Sequence, residues 1–184
     1  MGIENIIIIA LALLSIIWAI RLFNRLIKLR TLNEEGWSGI LSTLKRRGDL
    51  LPSLLEVAER YMSNESETLT KIAQARAMNQ TARSVTEMAC AEMSMMEALT
   101  GFKITVENYP ELKADKNMLS IKDALAGLEE RIEIVRHYYN ATARDYNMEM
   151  SRFPANLIVG LMGFKRAALF EAYENSLEVQ TSSR

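Results

Sequence analysis

The residues with most to offer chemically are two matched pairs, Tyr139-Asn140 and Tyr146-Asn147, seven positions apart. Seven residues make two turns of helix, so both pairs fall on one face about 10.5 Å apart. Buried phenols and carboxamides need hydrogen-bonding partners. Arg131, Arg136, Arg144 and Asp145 are near enough in sequence to join such a network. The face reads as a ligand or partner site, or as a polar layer that fixes helix register, and the second reading is favoured. Other chemistries find little support. His137 is the only histidine and Cys90 the only cysteine, which argues against a zinc or haem site and excludes an intramolecular disulfide. His137 is expected on the flank of its helix, and Cys90 as a small buried apolar residue in a reducing compartment. No paired carboxylates, no nucleophile beside a base and no phosphate-binding or nucleophile-elbow motif stand out. Neither an enzyme nor a cofactor is expected.

The elements that would carry this face are helical. Only three prolines and eight glycines interrupt a chain rich in Ala, Leu, Glu, Met, Lys and Arg. The fold class is therefore all-α: an N-terminal transmembrane helix continuing into a long antiparallel bundle of three long helices plus a short C-terminal helix. Residues 1–23 read as the transmembrane helix, 24–178 as the bundle and 179–184 as a frayed tail.

Between Asn5 and Arg21 the chain carries no charge. An apolar run of roughly 20 residues spans a hydrocarbon core about 30 Å thick. A cleaved signal peptide would want basic residues before the run and a small-residue cleavage site after it, and neither is present. A soluble core helix would keep a polar stripe. Arg21, Arg25, Lys28 and Arg30 follow the run and none precedes it, which places the C-terminal side in the cytoplasm, with the Met1 end outside. Apart from Glu4, all charge lies beyond the span, where 22 basic residues meet the remaining 22 of 23 acidic ones. That balance argues against nucleic acid as a partner. The expected partners are the lipid bilayer and either further copies of the chain or other membrane proteins.

The first helix is expected to run on past the span to Met62. Gly48 and Pro52 mark a kink, or as second choice a break with Asp49 capping a new helix. Lys45-Arg46-Arg47 reads as a solvated basic face. A second helix is expected from Glu65 to Val106, buried through Leu69, Ile72, Ala73, Val85, Ala89, Met93, Met96 and Leu99. Tyr109-Pro110 ends it. Asp115 or Asn117 caps the third helix, whose stripe of Ile121, Leu125, Leu128, Ile132, Val135, Tyr139, Thr142, Tyr146 and Met150 is close to a heptad. Phe153-Pro154 closes it. Ala167 to Leu177 can form the short last helix.

With a first helix reaching about 63 Å from the bilayer and a second of similar length returning, Tyr109-Pro110 turns near the membrane. The third helix then runs outward. The apolar segment containing Leu157, Ile158, Leu161 and Phe164 is on this count distal, where it caps the bundle or binds a partner.

Several phrases of the sequence together resemble the LemA family: Trp37-Ser38, Leu44-Lys45-Arg46-Arg47-Gly48-Asp49-Leu50-Leu51-Pro52-Ser53-Leu54-Leu55-Glu56, Tyr109-Pro110-Glu111-Leu112-Lys113-Ala114, Tyr138-Tyr139-Asn140, Asp145-Tyr146-Asn147, and Phe153-Pro154-Ala155-Asn156-Leu157-Ile158 with Gly163-Phe164-Lys165. They run in order from about residue 25 to Phe170. The resemblance implies a bacterial membrane protein with one N-terminal span and a helical-bundle domain, with no assigned catalytic residue to carry over. The family's activity is not established, but a long helix fixed at the bacterial inner membrane with no catalytic constellation leads to the expectation of a non-enzymatic scaffold, acting through self-assembly or membrane-protein partners in membrane organisation or envelope stress. A ligand-sensing module built on the Tyr–Asn face is the alternative. After Arg166 the chain departs from the family pattern, with Ala167-Ala168-Leu169 where basic residues or proline are common.

Overall fold

The computed structural model describes residues 2–160 and 162–171, all helix, turn and irregular chain. The long first helix, α1, runs from Ile3 to Glu59 without interruption. Its first 17 positions, Ile3 to Ala19, are exposed almost without exception, as an apolar-all-round run must be when nothing packs on it. From Leu22 onward a buried stripe of Leu22, Leu26, Gly36, Ile40, Leu44, Arg47, Leu51, Leu54 and Ala58 repeats at steps close to three and four.

Pro52 lies inside α1, so the second-choice break at Asp49 does not occur. Proline cannot donate to the carbonyl four residues back, that of Gly48. Arg76 supplies the missing donor from another helix, with its Nε 3.1 Å from the Gly48 oxygen.

The expected second helix is two helices, α2 (Ser66–Thr81) and α3 (Val85–Val106). The division has a local cause. The Ser84 hydroxyl accepts from the Glu87 N–H at 3.1 Å, while the Glu87 carboxylate accepts from the Arg83 N–H at 2.7 Å. This Ser-x-x-Glu device starts a new helix by satisfying otherwise orphaned donors. α2 and α3 form a hairpin against the outer half of α1, burying Met88, Met95, Leu99 and Phe102 but leaving Ala73 and Met96 exposed. Cys90 is exposed as well, against the expectation of a buried residue.

The hairpin changes the direction of everything after it. Two short legs return the chain to the far end of α1, where the five-residue α4 (Pro110–Ala114) turns it into α5 (Lys116–Ser151). Tyr61, just past α1, donates to Asp115 at 3.1 Å, whereas Arg25 meets Glu149 at 3.0 Å. α5 therefore runs antiparallel to α1, back toward its apolar end. Tyr109-Pro110 sits at the opposite end from the one expected, because no single helix as long as α1 makes the return. A four-residue turn, α6 (Ala155–Ile158), follows α5.

The core divides along α1 into three parts. Leu51, Leu54, Met62, Ile72, Met95 and Leu112 fill the far end. Ile40, Leu44, Ile132, Tyr139 and Phe170 fill the middle. Leu22, Leu26, Tyr146, Met150, Ala155 and Val159 fill the apolar end.

α1 and α5 approach each other closely at Gly36. A Cβ there would lie 3.2 Å from the Tyr139 Cα and 3.3 Å from the Tyr138 ring. Backbone cannot yield as a side chain can, so Gly36→Leu is expected to lower stability by about 1–3 kcal/mol in chemical unfolding, with overpacking as the cause. At Gly48 nothing lies within 4 Å of the same position. There Gly48→Ala is expected to gain roughly 0.5–1 kcal/mol from helix propensity.

Asp115 caps α5, its carboxylate accepting from the Asn117 and Met118 N–H groups at 2.8 and 3.0 Å. The Met118 N–H does most to hold its carboxyl below the ordinary value of 3.8, with help from the Tyr61 hydroxyl and against the effect of burial. A depressed carboxyl stabilises the fold above its ordinary value and ceases to as pH falls through the depressed one. Melts followed by circular dichroism are therefore expected to weaken on acidification below about pH 3.8, with Asp115→Asn losing part of that dependence.

Candidate functional site

The Tyr–Asn face of α5 is built around a segment of the chain's own C-terminal part. Residues 164–171 leave the helical conformation and lie along α5 as a strap. The helix expected from Ala167 is thus irregular chain through Glu171, and its remainder and the expected frayed tail lie outside the described residues.

Each asparagine holds one strap residue by both of its backbone groups. The Asn147 amide donates to the Ala167 carbonyl at 2.8 Å, and its oxygen accepts from the Ala167 N–H at 2.9 Å. Asn140 does the same to Phe170, at 3.0 and 2.8 Å. Between them, the Tyr139 hydroxyl donates to the Ala168 carbonyl at 2.7 Å. The spacing follows from geometry. Seven residues of helix advance about 10.5 Å, and three residues of extended chain about 10 Å. Two carboxamides seven apart on a helix therefore match two peptide groups three apart on an antiparallel strap. Each paired peptide group is satisfied without a sheet.

The strap is also held by packing. Phe170 is fully buried, its ring 6.0 Å from that of Trp37, which in turn lies 5.6 Å from the Tyr139 ring. Burial pushes the Tyr139 hydroxyl above its ordinary pKa.

The other expected members of the face separate. Tyr146 is buried among Leu22, Leu26 and Met150, and burial raises its pKa also. Asp145 and Arg144 are exposed. Arg136 is half-buried and lines a cavity of about 420 Å³ with Arg47, Glu92, Glu129, Glu133 and Phe170. His137 is on the flank as expected, 3.7 Å from Glu133.

Behind that cavity lies a residue expected in solvent. Arg47 is buried, and its two terminal nitrogens donate to the two carboxylate oxygens of buried Glu92, Nη1 to Oε1 at 2.7 Å and Nη2 to Oε2. Its basic neighbours Lys45 and Arg46 are exposed as expected. The signal was positional. Arg47 falls in the stripe Ile40, Leu44, Leu51, Leu54, and Glu92 in the stripe Met88, Met95, Leu99, Phe102. Charge hid what spacing showed.

The basic residues after the apolar run stay at its foot. Arg21 and Lys28 are exposed, Arg25 pairs with Glu149, and Arg30 pairs with Glu34 at 2.8 Å. The segment expected at the distal end lies beside them. The Phe164 ring is 5.8 Å from that of Phe23, and Val159 packs in the cluster of Leu22 and Leu26. Leu157 is exposed, Ile158 closes α6, and Leu161 lies outside the described residues. The distal placement is therefore corrected: because α5 runs back along α1, whatever follows it comes to the apolar end.

Among the described residues no cluster of His, Cys, Asp or Glu is arranged to hold a metal ion. Among the same residues one helix, α1, is long and apolar enough to cross a membrane. Together these features define an all-helical bundle with an N-terminal helix that fits a single-pass membrane anchor. The chain belongs to the LemA family, whose family model matches residues 36–182. It is similar to protein LemA of Metamycoplasma hominis, at 28% identity over 152 residues, covering 81% of this chain and 69% of that protein. It is also similar to the magnetosome proteins MamQ 1 and MamQ 2 of Paramagnetospirillum magneticum, each 35% identical over 74 residues. Those matches cover 40% of this chain and only 27% of each MamQ protein.

Proposed function

We propose that this protein is a single-pass, membrane-anchored helical scaffold that acts by assembling with itself or with other membrane proteins, and not by catalysis. The carrying observation is that one uninterrupted helix, Ile3–Glu59, is both the exposed apolar span and a wall of the bundle. A bundle continuous with its anchor is held at a fixed attitude to the bilayer, which suits an assembly element. The basic residues Arg21, Arg25, Lys28 and Arg30 support a cytoplasmic bundle. The MamQ relatives are magnetosome proteins by name, which is in keeping with work at a membrane. The Tyr–Asn face serves this reading as an internal clamp, its amides engaged by the strap.

The test is the mass of the intact protein released from native membranes in mild detergent, with crosslinking before extraction. A discrete complex of several copies, or a stoichiometric membrane-protein partner, is the expected result. A monomer that recovers no crosslinked partner would remove the basis of the proposal.

A further inference from the structure

The turn after α5 presents apolar side chains to no protein surface among the described residues. Phe153 is 80% exposed, Leu157 65% and Met162 37%. Scattered apolar residues on a surface are ordinary, but a Phe and a Leu this exposed in one short turn, rimmed by charge of one sign, mark an interaction surface. The sign is positive. Lys165 and Arg166 follow the turn, Arg152 precedes it and pairs with Glu149 at 3.2 Å, and no acidic residue lies between 152 and 166. All three are exposed.

The level of this turn along α1 is fixed by contacts on both sides of it. Before it, Arg25 meets Glu149, two residues short of the end of α5 at Ser151, so antiparallel α5 ends at a level just beyond Arg25 toward the apolar run. After it, Phe164 packs on Phe23. The segment therefore leaves and rejoins the bundle at the height where the charge-free run of α1 gives way to its basic residues. In a membrane that height is the cytoplasmic interface.

We propose that the turn after α5 is a second membrane contact, a foot that inserts Phe153, Leu157 and Met162 among the lipids of the inner leaflet while Lys165 and Arg166 meet anionic headgroups. The inference rests on the anchor reading of α1. Its occupant is an anionic bilayer surface, chosen by the basic rim and by continuity with the span. An interfacial element of this kind sets its apolar face about 5–10 Å into the headgroup–acyl boundary. Basic residues near an anionic surface add attraction that salt screens. Anchored at two points, the bundle resists both tilting and rotation about α1.

The experiment uses the full chain with Cys90→Ser, in nanodiscs of mixed phosphatidylglycerol and phosphatidylcholine. A polarity-sensitive fluorophore is placed singly by Leu13→Cys, Leu157→Cys or Glu111→Cys, and quenched by lipids brominated at defined depths. Expected are deep quenching at position 13, shallow quenching at 157 corresponding to about 5–10 Å of insertion, and none at 111. The signal at 157 is expected to fall on Lys165→Glu with Arg166→Glu, and in nanodiscs of phosphatidylcholine alone. Quenching at 13 with none at 157 would overturn the foot and leave the anchor standing. Quenching at 157 equal to that at 111 would also overturn it. An unquenched probe at 13 would overturn the anchor reading and the foot with it.

Discussion

Glu92→Leu is expected to lower the unfolding free energy of the detergent-solubilised protein by about 3–5 kcal/mol, because it strands the buried Arg47 guanidinium without its counter-charge. Arg47 and Glu92 are 1% and 3% exposed, and their contact is bidentate, so each ion depends on the other for its compensation. The more informative variant is the double replacement, Arg47→Met with Glu92→Leu. Two apolar side chains of similar volume remove both desolvation costs together, and the double variant is expected to regain most or all of the lost stability. The Arg47 Nε supports this expectation, since it is buried and finds no acceptor among the described residues. If the double variant is as unstable as Glu92→Leu alone in urea titrations, the pair contributes net stability that its geometry does not explain. If it matches the parent, the pair specifies how α3 docks on α1 and adds little stability.

The second large effect is at the strap. Phe170→Ala is expected to cost about 3–5 kcal/mol, the usual loss for truncating a buried aromatic side chain. Here it also empties the space beside Trp37 and Tyr139. Asn140→Ala removes two hydrogen bonds and leaves the Phe170 N–H and carbonyl unpaired, at about 1–3 kcal/mol for each buried group. Hydrogen exchange separates a local from a global effect. In Asn140→Ala and Asn147→Ala the Ala167 and Phe170 amides are expected to exchange much faster while the core of α5 stays protected. Unchanged protection at Phe170 in Asn140→Ala would show that the clamp bonds are dispensable.

Composition and periodicity carried the all-helical class, the long first helix and the stripe of α5, since each rests on a pattern repeated many times over. The cap of α5 was legible from residue type as Asp115 or Asn117, and it is Asp115. What escaped was set by single residues or by direction. Ser84 and Glu87 divide the second helix, and that one division reverses the sense of α5 and moves Phe164 from one end of the molecule to the other. Gly48 and Pro52 read as a kink or, second, a break, and nothing in the sequence shows that Arg76 reaches the orphaned carbonyl from a different helix. The Tyr–Asn repeat was legible as a polar face. Its partner was not, because a strap held by side-chain amides has no period of its own.

The central claim is that the apolar anchor and the bundle wall are one rigid helix. Spin labels at Ile20→Cys and Glu59→Cys in a Cys90→Ser background, measured by double electron–electron resonance in nanodiscs, address it directly. A continuous helix predicts a single narrow distance near 58 Å, at about 1.5 Å for each residue between them. A broad distribution, or a distance well short of that, would show a hinge between membrane and bundle and contradict the account.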